Sequence, residues 1–305
     1  MTKKYSSKKY GVLLVSMLSM FIFSCNSDDE STPLLADLIL NEIHVESGGE
    51  TIITEFAEDG RPISASNRSF SYDNNNQLIE EVKENDWFTL PTNYSYNNDV
   101  LVSYDYSVIA SSDGVSQVHV EVAYNDNIVT LTAFHENEFS GSLTYTFMSP
   151  DYKYLIKKET NLVSEPSTPD KIYEYEYDID FNLISVDESE INPNTGTIEL
   201  IYNYIFEYDD KKNPFELFSN HNAIVFGFFR FSFDNELFSF ETAINPIVRR
   251  SGNHNITKVS RVDVNGGNTS VWDYDYVYNS SDFPTKKKRT NDDGLVIFEI
   301  DFSYY

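Results

Sequence analysis

The sequence predicts an all-β protein, an antiparallel meander of hairpins whose sheet curls into a barrel-like or half-closed form. The chain holds 22 Tyr and 22 Phe but only 4 Met, and aromatic residues, with the plentiful Thr, Val and Ile, favour strands. A short aromatic phrase recurs along it, and no sustained 3.6-residue apolar period with helix caps is present. Curling is expected because closure protects the edges of a sheet.

The recurring phrase consists of two aromatics two residues apart, then Asp or Asn, several turn-forming residues and an apolar pair. Its second aromatic falls at positions 72, 96, 124, 147, 177, 208 and 233. Successive copies are therefore about 23 to 31 residues apart, which suits a strand, a tight turn and a return strand. A further copy lies at 276–279, and we treat residues 35–305 as a single β-repeat domain.

Each part of the phrase has a physical role. Residues i and i+2 of a strand share a face, so the paired aromatics should point together into a core. The Asp or Asn that follows tolerates turn conformations and caps its own backbone, which closes the hairpin. The segment 171–178 shows the alternation most cleanly, with Tyr on one face and Glu on the other.

The first residues predict an exported, lipid-anchored protein. Lysines at positions 3, 4, 8 and 9 precede an apolar run at 11–23, which is too short to span a bilayer and is typical of a signal peptide. The segment 22–25, Ile-Phe-Ser-Cys, resembles a lipobox, in which signal peptidase II cuts before a cysteine that is then lipidated. Residues 1–24 are thus expected to be a lipoprotein signal peptide, and Cys25, the only cysteine, the lipidation site. The alternative is an ordinary cleaved signal with Cys25 as a chance thiol.

Residues 25–34 are expected to form an acidic, flexible tether. Its segment 26–30, Asn-Ser-Asp-Asp-Glu, resembles the acidic tag of surface-exported lipoproteins of the Bacteroidetes. That resemblance implies an outer-membrane protein, lipid-anchored and facing outward, with the membrane as a partner through the anchor. The alternative is a solvated acidic linker.

Two families resemble the repeat itself. The phrase is similar to the YD repeats of RHS-type proteins, which read Tyr-Asp-x-x-Gly-x-Leu, although the glycine is mostly absent here and 59–60 is the nearest match. Closer are uncharacterised Bacteroidetes outer-membrane lipoproteins of unknown function with a porin-like fold. The shared motifs are the segments 208–215, 255–258 and 276–285. This resemblance implies a fold and no active site.

The charge balance limits the partners. The formal net charge of −27 argues against nucleic acid and favours a solvated, self-repelling exterior. A glycan, a peptide or another protein remains a candidate ligand. Two aromatic residues that could stack on sugars are Trp87 and Trp272, while the basic run 286–289 is expected to complement neighbouring acids, because its alternate residues face opposite sides of a strand.

No catalytic or cofactor motif is present. The chain lacks HExxH, GxSxG and a phosphate-cradling glycine loop. Its histidines are scattered without metal-ligand spacing, at positions 44, 119, 135, 221 and 254. Acidic turns at 178–182 and 263–268 could in principle hold calcium, but Asp, Asn and Gly populate such turns for backbone reasons alone. We predict no catalytic residue, no metal and no cofactor.

The functional prediction is accordingly a non-catalytic cell-surface lipoprotein, a binding or structural module of unknown ligand. One alternative is an extracellular hydrolase with paired carboxylates. The other is an integral outer-membrane β-barrel, suggested by the alternating segment 296–305 with its terminal aromatic. An integral barrel has no need of an acyl anchor, so the lipobox weighs against it.

Overall fold

The computed structural model describes most of the chain after residue 39, and residues 37–305 form one compact unit. The described residues are 40–47, 50–65, 68–84, 88–110, 114–152, 154–162, 170–192, 194–214, 253–290 and 294–305. The predicted signal peptide, the tether and Cys25 lie outside these ranges. So do Trp87, His221 and the copy of the phrase at 231–234.

Eighteen β-strands and no helix are found within the described ranges, which include no helix long and apolar enough to cross a membrane. The strands are β1 (Leu40–Ser47), β2 (Glu50–Phe56), β3 (Pro62–Ala65), β4 (Arg68–Tyr72), β5 (Leu78–Glu84), β6 (Phe88–Asn97), β7 (Val100–Ala110), β8 (Gly114–Asn125), β9 (Ile128–His135), β10 (Glu138–Phe147), β11 (Leu155–Leu162), β12 (Lys171–Tyr177), β13 (Leu183–Ile191), β14 (Ile198–Lys212), β15 (His254–Asp263), β16 (Thr269–Tyr278), β17 (Pro284–Thr290) and β18 (Val296–Tyr304).

The strands form a closed barrel. Each pairs antiparallel with the next in sequence, and β1 also pairs with β18, with Ile43 opposite Phe302 and Val45 opposite Ile300. The predicted all-β antiparallel meander is confirmed, and of the two predicted forms the structure adopts the fully closed one. Closure leaves no unpaired edge among these eighteen strands, and an unpaired edge is a template for aggregation.

The interior is filled at one end by aromatic side chains. All nine even-numbered strands finish at this end, which we call the aromatic end, and each carries an aromatic residue at or near its last position. These residues are Phe56, Tyr72, Tyr96, Tyr124, Phe147, Tyr177, Tyr208, Tyr278 and Tyr304. All of them except Tyr278 are buried or packed against the buried core, which confirms for these copies that the second aromatic of the phrase points inward.

Tyrosine hydroxyls join neighbouring hairpins at the aromatic end. Five of these tyrosines each donate to the backbone carbonyl of the first residue of the preceding strand, at 2.6 to 2.9 Å. The pairs are Tyr72 with Pro62, Tyr96 with Leu78, Tyr177 with Leu155, Tyr208 with Leu183, and Tyr304 with Pro284. Burial raises the pKa of the hydroxyls of Tyr72, Tyr96, Tyr208 and Tyr304, so these four stay protonated and keep donating.

The Asp or Asn of the phrase organises the turn that follows. Asp178 accepts hydrogen bonds at one oxygen from the backbone N–H groups of Asp180 and Asn182, at 2.9 and 2.8 Å. Asp73 and Asn279 make the same pair of bonds two and four residues on. The fourth residue of each turn has a left-handed φ, between 61° and 65°, and a register shift precedes it, the pattern of a type I turn followed by a bulge.

Candidate functional site

The barrel interior changes character along its length. The aromatic end is packed with Tyr, Phe and Leu, whereas the other end, where the odd-numbered strands finish, carries charged side chains that point inward. We call this second region the polar half. Its basic residues on the inner face are Arg68, Lys83, Lys158, Lys171, Arg261, Lys287 and Arg289, by the pairing register. The carboxylates among them are Glu81, Glu188, Glu190 and Asp263.

The centre of the polar half is a buried carboxylate, Glu188. Only 6% of its side chain is exposed. It accepts from the ammonium of Lys171 at 3.1 Å and from the hydroxyls of Tyr204 at 2.9 Å and Tyr173 at 3.3 Å. These donors satisfy the carboxylate, which makes its burial tolerable.

Lys171 links this buried acid to a second, more exposed one. Its ammonium lies 2.5 Å from Glu190, whose side chain is 43% exposed. Although partial burial opposes it, hydrogen bonding to both carboxylates raises the pKa of Lys171. Lys171 thus bridges Glu188 and Glu190 and offsets their mutual repulsion.

A second cation near Glu188 is less well compensated. The Lys158 ammonium lies 5.3 Å from the ring centre of Tyr173, and burial lowers its pKa despite the nearby charge of Glu188. No carboxylate lies within ion-pair distance of Lys158 among the described residues. Sequences seldom keep such a costly group without a use.

A matching but smaller cluster lies on another part of the wall. Glu81 is 3% exposed, and it accepts from the guanidinium of Arg68 at 2.9 Å and from the hydroxyl of Tyr94 at 3.0 Å. In both clusters a buried inward glutamate accepts from one cation and from at least one tyrosine hydroxyl.

On the inner face of the wall formed by β15–β18, cationic side chains lie over aromatic rings. The guanidinium carbons of Arg261 and Arg289 each lie 5.7 Å from the ring centre of Trp272, and that of Arg261 lies 4.8 Å from Tyr202. The ammonium of Lys287 lies 4.3 Å from the ring centre of Tyr274. Cations held on aromatic faces are oriented with little loss of their hydrogen-bonding capacity.

The outer face of the same strands is polar and carries both acids and lysines, several of them paired. On β16 the outward residues include two aspartates flanked by two valines, Val271, Asp273, Asp275 and Val277. Exposed apolar residues elsewhere on the outer face, such as Ile53, are likewise flanked by Thr and Glu. At these positions the outer face interleaves apolar side chains with polar and charged ones.

The basic run at 286–289 confirms one prediction and extends it. Lys286 and Lys288 point outward and pair with acids, at 3.1 Å from Asp301 and 3.8 Å from Asp275. The alternate residues, Lys287 and Arg289, turn inward onto the aromatic wall, a role that sequence reasoning missed.

The two candidate calcium turns are occupied by their own hydrogen bonds. Desolvation opposes the shift, but bonds from Asn182 and Asp180 lower the pKa of Asp178. Asp263 accepts from the backbone N–H groups of Asn265 and Gly266 at 3.0 and 2.8 Å. Both acids thus stabilise their own turns by accepting backbone hydrogen bonds, which is the alternative to calcium binding that the sequence also allowed.

The histidines within the described ranges stay apart. His44 pairs with Glu42, His119 with Asp105, and His135 contacts the hydroxyl of Ser116. Across the described part of the chain, no three His, Cys, Asp or Glu side chains gather in a way that could hold a metal ion.

Sequence reasoning also missed Glu188, Glu81 and Lys158, although one signal was available. In the alternating segment 171–177, Lys171 shares its face with the three tyrosines, so an inward lysine could have been inferred. An inward lysine on one strand in turn implies an inward acid on the next, because buried charges are paired.

Comparison with known proteins finds structural likeness at low identity. No family model matches the chain, and no curated protein matches it. A porin-like protein from Bacteroides vulgatus has a TM-score of 0.44 and 11% identity, covering 88% of this chain and 99% of that one. A porin-like protein from Bacteroides uniformis has a TM-score of 0.35 and 12% identity, covering 87% and 96%. The structure of TcdB2-TccC3 without its hypervariable C-terminal region has a TM-score of 0.26 and 8% identity, covering 84% of this chain but 14% of that one.

Proposed function

We propose that this protein is a non-catalytic, lipid-anchored binding module of the outer membrane, facing outward, whose ligand site is the polar half of the barrel interior. The observation that carries the proposal is the set of cations on the inner face of one wall of a strongly acidic protein. The chain has a net charge of −27, yet the inner face of β15–β18 presents Arg261, Lys287 and Arg289 beside aromatic rings.

The inward charges are expensive to keep. Burial of Lys158 is compensated only in part, and replacing buried ion pairs by apolar residues often stabilises a protein. An interior needed only for stability would be filled like the aromatic end. Retained polar groups in one region of an otherwise apolar interior favour a binding role.

The outer face supports a solvated barrel over one embedded in lipid. Mid-strand carboxylates such as Asp273 and Asp275 point outward, and charged groups on a lipid-facing strand cost about 2–4 kcal/mol each near the bilayer midplane for Lys and Arg, with smaller costs for Asp and Glu. A barrel of this kind needs an acyl anchor to stay at the membrane, which is the role expected of Cys25.

The proposal is tested with the full-length protein, extracted in mild detergent and applied to a broad glycan array and to an array of surface peptides. Saturable binding without release of product supports a binding module. Release of shortened glycans on prolonged incubation would make the protein a hydrolase instead. Binding to nothing on either array, together with no partner crosslinked on intact cells, would leave a purely structural role and overturn the proposal.

A further inference from the structure

We infer that the aromatic end of the barrel rests on the membrane surface, where an arc of outward aliphatic side chains dips into a zwitterionic lipid layer. The inference rests on the proposed function, in which a lipid on Cys25 anchors the protein, and it adds the face of the barrel that meets the bilayer. It places the polar half, at the other end, away from the membrane and toward the medium.

The arc comes from pairs of apolar residues at the start of return strands. Adjacent residues of a strand point to opposite faces, and the first member of each pair is buried inside the barrel, as Leu78 and Leu183 are. The second member points outward, where the core does not use it. These outward residues, which we call the apolar arc, are Ile63, Ile79, Val102, Ile156 and Ile184.

All five residues of the apolar arc occupy the same structural position, a bulge beside the aromatic end. In β13, Leu183 pairs with Tyr177 and Ser185 with Glu176, so Ile184 is the extra residue of its bulge. Four of the five side chains are 37% to 51% exposed. Because the position recurs at one level of the barrel, these side chains form a belt, which scattered exposed residues do not.

Folding does not require an aliphatic residue at this position. The bulges at the aromatic end of β1, β15 and β17 hold Asn41, Thr257 and Thr285, and these strands pair with their neighbours in the same antiparallel way. They lie on one side of the barrel, since only β16 and β18 separate them, and the aliphatic positions occupy the part from β3 to β13. An apolar surface that the fold does not need favours an external contact.

The apolar arc is shallow. Toward the tip of the barrel it continues into two neighbouring turns, where Met148, Phe181 and the 92% exposed Ile179 lie. Toward the middle of the barrel it ends after one residue, at outward pairs in which a serine donates to a glutamate. These pairs are Ser64 with Glu55, Ser71 with Glu80, and Ser185 with Glu176. Such a surface suits the interfacial depth of a bilayer and does not suit a span across it.

The chain that leads to the proposed anchor leaves from this same end. Strand β1 begins at Leu40, which lies opposite Tyr304 at the aromatic end. Cys25 precedes Leu40 by fifteen residues, a length that reaches at most about 50 Å. Exposed aliphatic residues such as Val115 and Ile198 also occur at the polar end, but the anchor holds the aromatic end nearer to the bilayer, where burial of apolar surface strengthens binding.

The charge of the aromatic end specifies the kind of lipid. Its turns carry exposed acids, among them Asp99, Asp126 and Asp180, in a protein whose net charge is −27. An anionic lipid surface repels these carboxylates, whereas the ammonium groups of zwitterionic headgroups attract them. The partner that fits is therefore a bilayer rich in a zwitterionic lipid such as phosphatidylethanolamine.

The experiment measures the membrane depth of single fluorescent labels on the lipidated, full-length protein. A lipidated Cys25 contributes no free thiol, so a single introduced cysteine can carry the fluorophore NBD before the protein is added to preformed vesicles of phosphatidylethanolamine and phosphatidylcholine. Ile79→Cys and Ile184→Cys place the label in the apolar arc. The matched controls are Val115→Cys and Ile198→Cys, which replace exposed aliphatic residues at the opposite end of the barrel, near the start of β8 and β14.

A lipid that carries a nitroxide high on its acyl chain should quench the labels in the apolar arc at least about threefold more than the labels at the polar end. Replacing part of the zwitterionic lipid by phosphatidylglycerol should lower the quenching in the arc, because anionic headgroups repel the acidic turns. Ile79→Ser combined with Ile184→Ser should lower the quenching of a label at Ile63→Cys, because less apolar surface then holds the arc in the lipid.

Three results would overturn this inference while leaving the proposed function standing. Equal quenching at Ile184→Cys and Ile198→Cys would mean that the aromatic end is not the face that meets lipid. Absence of quenching in the arc, with the protein still on the vesicles, would mean that the arc faces water. Shielding of the Ile184→Cys label from iodide in the detergent-free Cys25→Ala protein would mean that another segment of this chain or a second copy covers the arc.

Release of the lipidated protein from the vesicles is a different failure, because it removes the anchor on which the proposed function depends. Each variant is first compared with wild type by circular dichroism. If Ile79→Cys or Ile184→Cys does not fold, Val102→Cys takes its place in the arc.

Discussion

The buried tyrosines predict that the barrel unfolds at moderately alkaline pH. Burial raises the pKa of Tyr72, Tyr145, Tyr175, Tyr208 and Tyr304 well above the usual value. Above about pH 10 the unfolded chain releases these phenolic protons while the folded chain keeps them, so the free energy of unfolding falls as pH rises. The stabilisation is fully present below about pH 10 and is lost as pH rises toward the folded-state pKa values.

The magnitude is large because the effect is repeated. At a pH one unit above the pKa of tyrosine in the unfolded chain, each buried tyrosine lowers the free energy of unfolding by about 1.4 kcal/mol. These five together therefore lower it by about 7 kcal/mol. The total stability of a typical domain is about 5–15 kcal/mol. We therefore expect cooperative loss of strand structure near pH 11 to 12, roughly, with tyrosinate absorbance and circular dichroism changing together. If most tyrosines ionise near pH 10, roughly, while the strand signal stays intact, the reasoning is refuted.

Two tyrosines provide an internal comparison. Tyr208 donates to the carbonyl of Leu183 at 2.7 Å, whereas the buried hydroxyl of Tyr175 has no hydrogen-bond partner among the described residues. Tyr208→Phe should lower the free energy of unfolding at neutral pH by about 1 kcal/mol, and Tyr175→Phe should leave it unchanged or raise it. Equal losses in denaturant titrations of both variants would contradict the assigned hydrogen bond.

Three further substitutions address the charged interior and the anchor. Glu188→Gln should lower the free energy of unfolding by about 2 kcal/mol, which is less than for a fully buried pair because Lys171 is 42% exposed. Glu190→Gln, which removes the other partner of Lys171, should lower it by under about 1 kcal/mol. Equal losses in urea titrations would contradict this ranking. Lys158→Met should raise the free energy of unfolding by roughly 1 kcal/mol at neutral pH. Because burial lowers the pKa of the wild-type amine, this gain should shrink as pH rises toward the ordinary lysine pKa. A loss of stability would show that the ammonium is well compensated. Cys25→Ala should move the protein from the membrane fraction to the soluble fraction, and its retention in membranes would argue against lipidation.

The architecture was predictable because the aromatic phrase that ends each hairpin strand recurs along the sequence. Tyr72, Tyr177 and Tyr208 stand directly before Asp residues, and alternation on the strand places them inward as soon as the strand is recognised. Closure itself was not predictable, since it depends on pairing between β1 and β18 at opposite ends of the chain, which no local pattern encodes.

The turns of the phrase take a left-handed residue without needing glycine. The YD motif has glycine at the fourth position of the turn, and this chain mostly lacks it. The equivalent positions are held by Gly60, Asn76, Phe181 and Asp282, all with positive φ. Phe181 tolerates a conformation costly for a bulky residue, and its ring stacks 4.4 Å from that of Tyr154, a contact that offsets part of the cost.

The candidate site was largely invisible in the sequence. Arg261, Lys158 and Glu188 come from three separate strands, and nothing in their own neighbourhoods marks them as inward. Only the register between strands, with Glu188 opposite Tyr173 and Tyr202, brings them to one region. The chain has 49 acidic residues, so the buried Glu81 and Glu188 cannot be told from the exposed acids by sequence alone.

The most direct test of the account labels cysteines on intact cells. The account holds that the barrel is surface-exposed, that its outer face is in water and that its inner face is shielded. In strand β17, Lys288→Cys and Lys287→Cys place adjacent thiols on opposite faces, and a lipidated Cys25 contributes no free thiol. A bulky, membrane-impermeant maleimide should label Lys288→Cys readily and Lys287→Cys little. Protection of Lys288→Cys on intact cells, with labelling only after the envelope is opened or the protein is removed from lipid, would contradict a solvated barrel at the cell surface.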